Sequence, residues 1–321
     1  MSTNAIVLEV LEPGLQTTIQ DAGRRHVAQM GVSPSGAADW LSARAANRVV
    51  GNPYTAALIE TTMTGFAFKA LRSMRIAVTG ARALLVAGGG PRPQWQSFRV
   101  REGAEVRLGA AERGLRSYIA FFGGIDVPPV LGSRSTDITA AFGGLSGRSL
   151  ARGDLLSVAA EGELPEQDFA IAPSARPFWA QPATLRVLPG LHAKRFTSED
   201  LAFLQKQTYR VSPRSSRQGV RLEGQALASV AGYDAISVGI CSGCVQLSSD
   251  GQPIVLLAEH QTTGGYAVPL TVISADIPDA AQLRPGDQLR FRMVTQPEAA
   301  IALAEKMQAL TESLDEPNPA G

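Results

Sequence analysis

A chain of 321 residues is longer than one hydrophobic core usually serves, so two domains are expected. With 45% hydrophobic and 18% charged residues the composition is that of an ordinary globular protein, and a formal net charge of +1 leaves no basic footprint for nucleic acid or an anionic membrane. The amino-terminal MSTNAIVLEVLEPG carries Glu9 and Glu12 and lacks a basic n-region and a long apolar run, and no segment reaches the roughly 20 apolar residues of a bilayer span, so a cytoplasmic location is expected.

In chain order, Ala5 to Leu11 alternates as a strand and stops at Pro13-Gly14. Gln16 to Pro34 reads as a turn-rich polar segment. Trp40, Leu41, Ala45 and Val49 fall on one helical face within Gly36 to Val50, and Gly51-Asn52-Pro53 ends that helix. From Ala57 the chain changes to short, closely spaced strands: LIETTM, FAFKA, RIAVTG, ALLVAG, SFRV, EVRLG and SYIAFFGG. That spacing belongs to a barrel or sandwich and not to βαβ units. Leu131 to Gly153 is a long glycine- and serine-rich excursion of the kind that functional loops form.

Residues 161–184 are rich in Pro, Ala and acids without a period, and read as a linker between an amino-terminal half (1–160) and a carboxy-terminal half (185–296). The second half restarts the first. LRVLPGL at Leu185 echoes LEVLEPGL at Leu8, and RPGDQLRF at Arg284 echoes REGAEVRL at Arg101. Ser198 to Lys206 follows as a helix, and Ile236 to Leu247 reads as strand, turn, strand. In 297–321, Ala300, Leu303, Ala304, Met307 and Leu310 predict a terminal amphipathic helix with the last seven residues frayed.

The chemistry-bearing stretch is Gly251 to Asp276. Apolar runs Pro253 to Ala258 and Pro269 to Ser274 flank Glu259, His260, Gln261, Thr262, Thr263, Gly264, Gly265 and Tyr266. The paired glycines suggest a polar bend with φ > 0 that lets the backbone approach a ligand. Glu259, His260 and Asp276 are candidate acid-base groups, and Tyr266 can donate to developing negative charge. Arg214, Arg217 and Arg221 lie within eight residues, which suits a carboxylated substrate or a solvated strand face. FGGLSGRS, Phe142 to Ser149, partly matches a phosphate loop, but its glycine spacing is one residue short and Arg148 replaces the lysine. Cys241 and Cys244 form a CSGC pair, read as two small, semi-buried residues in a turn and not as metal ligands.

The stretches QTTIQDAGR, GVSPSGAAD, AANRVVGNP, GGIDVPPVLGSRST, RLEG and DGQPIVLLAEHQTTGGY, followed by VISADI and AQLRPGD, resemble the biotin-dependent carboxyltransferase family known as allophanate hydrolase subunit 2. The resemblance runs from Ile6 to Val294 and implies a mainly β fold: cyclophilin-like antiparallel β-barrels in two related halves, with short helices and a carboxy-terminal helix. It is similar in type to the C subunit of 5-oxoprolinase, which implies ATP-dependent opening of 5-oxoproline to glutamate in a complex. The implied partners are a shorter cyclophilin-like protein, the B-type subunit of such a complex, and its A-type subunit of the lactam-utilisation kind, with ATP used at the level of the complex. Two alternatives stand beside this: a biotin-using carboxyltransferase component acting on urea or a related amide, and a non-catalytic regulatory or binding module. On the same resemblance Gln261, Thr262, Thr263, Gly264, Gly265 and Tyr266 form the reacting corner, and Arg217, Arg221, Gln246 and His260 bind substrate. Val238 and His260 stand where members commonly carry Glu and Arg, and the CSGC pair also departs from the family pattern.

Overall fold

The computed structural model describes residues 6–159, 164–228 and 232–315. The fraying expected at the last residues therefore lies, Asp315 apart, outside the described residues, as do positions 161–163 of the expected linker. The chain forms two compact units, one of Met1–Arg24, Ser35–Pro177 and Gln308–Gly321, the other of Arg25–Pro34 and Phe178–Met307.

Two large sheets form most of the first unit. One orders β11 (Leu155–Ser157), β1 (Ile6–Glu12), β4 (Phe66–Ala70), β9 (Glu105–Leu108), β6 (Leu85–Ala87) and β7 (Gly90–Pro91); the other orders β2 (Gln16–Gln20), β3 (Leu58–Thr62), β10 (Arg113–Phe121), β5 (Met74–Arg82) and β8 (Ser97–Val100). Strand alternation divides the second sheet's side chains between two cores. Ile59, Ile76, Val78, Ile119 and Phe121 join Leu8, Val10, Phe66 and Phe68 in one. Leu58, Ala77, Tyr118 and Ala120 pack instead with Leu41, Ala45, Ala46 and Val49 of helix α1 (Trp40–Val49). Burial on both faces explains why these strands read as continuous apolar runs. The helix starts at Asp39, whose side chain accepts from the Ser42 amide at 2.9 Å.

Two stretches differ from the sequence reading. Gln16–Gln20, expected to be turns, is a sheet strand whose Thr17, Thr18 and Gln20 are buried and hydrogen-bonded; Gln20 Nε2 donates to Thr136 O at 3.1 Å. Within the expected linker, β12 (Ala170–Ile171) pairs with β22 (Leu314–Asp315), and Arg75 holds Asp168 and the Pro165 carbonyl. Those residues are built into the first unit.

The second unit is a closed seven-stranded barrel, in order β13 (Ala183–Pro189), β20 (Leu270–Val272), β17 (Cys244–Leu247), β18 (Pro253–Leu256), β15 (Gly219–Glu223), β14 (Tyr209–Val211) and β21 (Gln288–Met293). Its pairs are antiparallel except β13 with β21, which run parallel and close the ring. Leu185, Val187, Val211, Val220, Val245, Leu247, Val255, Leu270 and Leu289, all nearly inaccessible, supply its core. The counterpart strands β1 and β9 of the first unit are instead separated by β4. The echoing segments are thus strands in both units, set into different sheet closures.

Helix α2 (Ser198–Lys206) begins at a capping box, Thr197 and Asp200 each accepting from the other's amide. Helices α3 (Ile277–Ala281) and α4 (Gln296–Glu312) follow the last barrel turns, and Ala299, Ala302 and Leu303 pack on Ile273 and Ala275. A separate ribbon of β16 (Asp234–Gly239) and β19 (Thr263–Tyr266) completes the unit. Among the described residues no helix is long and apolar enough to cross a membrane.

Candidate functional site: a cleft between the barrel and its ribbon

Because alternate residues of a barrel strand point outward, β15, β18 and β17 present a second, external surface. Arg221 and Gln246 both lie opposite Ile254 there, and Gly219 lies opposite Leu256. The ribbon meets this surface through an apolar cluster of Ile240, Cys244, Leu256 and Val268, with Val238 and Ile254 against it. Beside the cluster opens a cleft of about 150 Å³ lined by Ser216, Gln218, Gly219, Arg221, Gln246, Ile254, Leu256, His260, Gln261 and Tyr266. Cavities of about that volume accommodate a benzene-sized molecule.

Its polar groups have a defined pattern. Gln246 is 2% exposed, and its Nε2 has no hydrogen-bond partner among the described residues. A buried amide donor in that state costs about 1–3 kcal/mol until something accepts from it. His260 is buried, and its Nδ1 lies 2.7 Å from the Gln261 carbonyl oxygen. A carbonyl can only accept, so Nδ1 carries the proton and Nε2 presents a lone pair. Burial pushes the His260 pKa below its ordinary value, which keeps the ring neutral at pH 7. The exposed Arg221 guanidinium makes no ion pair among the described residues. Donor, acceptor and cation therefore face one small space with an apolar floor.

The rest of the expected corner is placed differently. Gly264 and Gly265 lie within β19 and neither has a left-handed φ, so their role is not the tight bend expected. Gly264 is required for space: a Cβ there would lie 2.3 Å from Gln246 Nε2 and 2.9 Å from Ile240 Cδ1. Strand parity then sets Tyr266 on the face of Gly264 and turns Thr263, which is exposed, the other way. Thr262 and Thr263 do not line the cleft, and Gln261 sits exposed at its edge.

Arg217 is likewise diverted. It is 2% exposed and its Nε donates to Glu259 Oε1 at 2.6 Å, while the Glu259 amide donates to the Arg217 carbonyl at 3.0 Å. This buried pair ties the two loops that carry Gln218 and His260. It also removes Glu259 from the candidate acid-base groups. Asp276 is removed in the same way, its two oxygens 2.6 and 2.9 Å from Arg186 nitrogens. His192 accepts from the Val268 amide at 3.1 Å, the ordinary hydrogen-bonded histidine. Ser216, Gln218, Ile254 and Leu256 were not singled out from sequence; the alternation of PIVL, which places Ile254 and Leu256 on one strand face, was the available signal.

The glycines of Phe142 to Ser149 do not form an open cradle. A Cβ at Gly143 would meet Ser135 O at 2.1 Å, at Gly144 Thr136 Oγ1 at 1.9 Å and at Gly147 Ala141 C at 2.2 Å. They let the loop pack on its own first unit, and they do not fit ATP phosphates. Among the described residues no three His, Cys, Asp or Glu side chains converge as metal ligands.

Residues 30–293, which include the barrel, its ribbon and the cleft, match the family described as carboxyltransferase domain, subdomain A and B. The chain belongs to that family. It is 34% identical to the C subunit of 5-oxoprolinase from Escherichia coli K12 over 92% of this chain and 94% of that protein. It is 31% identical to urea amidolyase of Saccharomyces cerevisiae over 96% of this chain but 18% of that protein. The crystal structure of Kluyveromyces lactis urea carboxylase superposes with a TM-score of 0.89 at 29% identity, over 99% of this chain and 30% of that one. The chain thus corresponds to a near full-length protein in the first case and to one region of a much longer protein in the others.

Proposed function

We propose that this chain is the C-type subunit of an ATP-dependent 5-oxoprolinase complex and that the cleft under the ribbon receives the lactam. The observation that carries the reading is the buried Gln246 Nε2, without a hydrogen-bond partner among the described residues, in a cleft that His260 also lines. A lactam presents one carbonyl acceptor and one N–H donor on adjacent atoms, the complement of that pair. Its carboxylate is matched by Arg221. The 34% identity to the C subunit of a 5-oxoprolinase supports this choice of amide.

In this reading Gln246 Nε2 donates to the lactam oxygen and strengthens that bond as negative charge develops there, where one preorganised donor is worth about 3–4 kcal/mol of barrier. His260 Nε2 accepts the lactam N–H and fixes the ring's orientation. The Tyr266 hydroxyl lies on the same side of the ribbon and supports the oxygen. Gln261 closes the edge, and the Arg217–Glu259 pair holds the two loops in register. The partners are the B-type protein and the lactam-utilisation protein of such a complex, and ATP acts at the level of the complex.

A second reading, carboxyl transfer to a urea-like amide, is favoured by the 29% identity to urea carboxylase over nearly the whole chain. The Gln246 and His260 pair fits a biotin ureido group as it fits a lactam, because both offer a carbonyl beside an N–H; biotin would supply a carboxyl group to the amide. Arg221 separates the two readings, since urea has no carboxylate. Calorimetric titration of the full chain with 5-oxoproline, proline and 2-pyrrolidinone tests this. We expect binding of 5-oxoproline, none of proline, which lacks the carbonyl, and weaker binding of 2-pyrrolidinone, which lacks the carboxylate. Equal binding of proline and 5-oxoproline would contradict the assignment.

A further inference from the structure

We infer that Cys241 and Cys244 form a reversible dithiol–disulfide centre that adjusts the strand carrying Gln246. Their Sγ atoms are 3.7 Å apart across a turn closed by the Cys244 amide donating to the Cys241 carbonyl at 3.2 Å. A disulfide needs about 2.0 Å, so closure draws the sulfurs about 1.7 Å together and shifts the short turn between them. The turn is held tight by Gly243, whose φ is +92° and where a Cβ would lie 2.7 Å from the Val272 carbonyl and 3.0 Å from Ile277 Cδ1. A larger residue there would push the turn open and part the thiols.

Access and burial are divided between the two. Cys241 is exposed and Cys244 is buried. Both border an open cleft of about 450 Å³ whose other walls include Pro189, Leu191, Ile240 and Thr271. The Cys241 hydrogen bond pulls the Cys244 pKa down to about 6 and raises that of Cys241, so the pair shares one proton near pH 7.

The oxidant would be a low-molecular-weight disulfide. The exposed Cys241 is the attacking group, in the minor form of the pair in which Cys244 holds the shared proton; its thiolate attacks one external sulfur and expels the other as a thiolate. Cys244 then gives up its proton and attacks Cys241 Sγ, breaking the mixed disulfide and releasing the second external thiol. Two protein thiols are oxidised and one external disulfide is reduced to two thiols.

The centre touches the site from both sides. Ile240 precedes Cys241, lies in the apolar cluster with Cys244 and abuts Gly264. Gln246 is two residues beyond Cys244, on the same outward face of β17. Drawing the sulfurs together moves that strand end and the ribbon contact, and with them the Gln246 carboxamide. This does not depend on which amide the cleft receives.

The test uses the reduced full chain exposed to oxidised glutathione, with intact mass, a thiol count and the NMR resonances of the Gln246 side-chain amide. We expect both thiols to disappear with loss of two hydrogens and no retained glutathione, and the Gln246 resonances to shift and return on reduction. In Cys241→Ser no internal disulfide forms and the resonances stay put under oxidant. A stable glutathione adduct on Cys241, or two thiols that persist, would overturn the centre. Closure without any Gln246 shift would overturn its coupling to the site.

Discussion

Replacing Gly264 with alanine separates a positional role from a structural one. The new Cβ would sit 2.3 Å from Gln246 Nε2, about 1.1 Å inside the 3.4 Å at which ordinary contact begins. The crowded atoms, Gln246 Nε2, Ile240 Cδ1 and, at 3.2 Å, Gln261 Nε2, are the far ends of flexible side chains, so they can swing away. Overpacking of this kind costs about 1–3 kcal/mol and is partly offset by the roughly 0.4–1 kcal/mol gained from restricting the unfolded chain. The melting temperature should fall by no more than a few degrees. A displacement of about 1 Å, however, ends the hydrogen bond Gln246 offers a ligand. Losing a neutral bond of about 1 kcal/mol weakens binding roughly fivefold, with a further loss in turnover if the bond strengthens as charge develops. Calorimetry with 5-oxoproline and thermal unfolding read the two effects separately. Gly265→Ala is the matched comparison, because its Cβ would meet Ser237 Oγ only at 3.4 Å, and it should leave both readouts near wild type. Undiminished binding in Gly264→Ala, or equal damage from both substitutions, would refute the reasoning.

Other expectations follow from the same geometry. Glu259→Gln removes the carboxylate from the buried Arg217–Glu259 pair and should cost about 3–5 kcal/mol in urea unfolding, well beyond a surface pair. Arg221→Leu should weaken 5-oxoproline while leaving 2-pyrrolidinone unchanged in calorimetry, because only the first carries a carboxylate. For His260 the folded pKa lies below the unfolded value near 6.5, so its stability contribution is complete above that value and declines as the pH falls towards the folded pKa. Urea unfolding at pH 7.5 and 5.5 should show wild type losing more stability than His260→Asn, and lactam binding should survive mild acidification past pH 6.5 before it is lost.

Periodicity exposed much of the fold. The strands of LIETTM through SYIAFFGG and the helix at Ser198 form where alternation and capping place them, since their patterns are local. Gln16–Gln20 was hidden because Thr17, Thr18 and Gln20 are polar yet buried, their cost met by partners more than 40 residues away such as Thr61 and Thr136. Two adjacent glycines usually mark a bend, yet Thr263–Tyr266 is a strand; here a neighbouring side chain, and not the backbone angle, demands Gly264. The facing of Thr263 follows from the strand and not from residue type, because it is fixed only once its strand is known. Gln246, His260 and Tyr266 could be chosen from residue type. The Arg217–Glu259 pair could not, since the two are 42 residues apart and only the barrel brings them together.

The central claim is that the cleft under the ribbon positions a lactam through Gln246. The most direct measurement is 5-oxoproline-dependent ATP hydrolysis and glutamate formation by the chain assembled with its B-type and lactam-utilisation partners, comparing wild type with Gln246→Leu. Coupled hydrolysis in the wild-type complex that falls at least tenfold in a Gln246→Leu complex of unchanged assembly is the predicted result. Equal glutamate formation by the two complexes would contradict it.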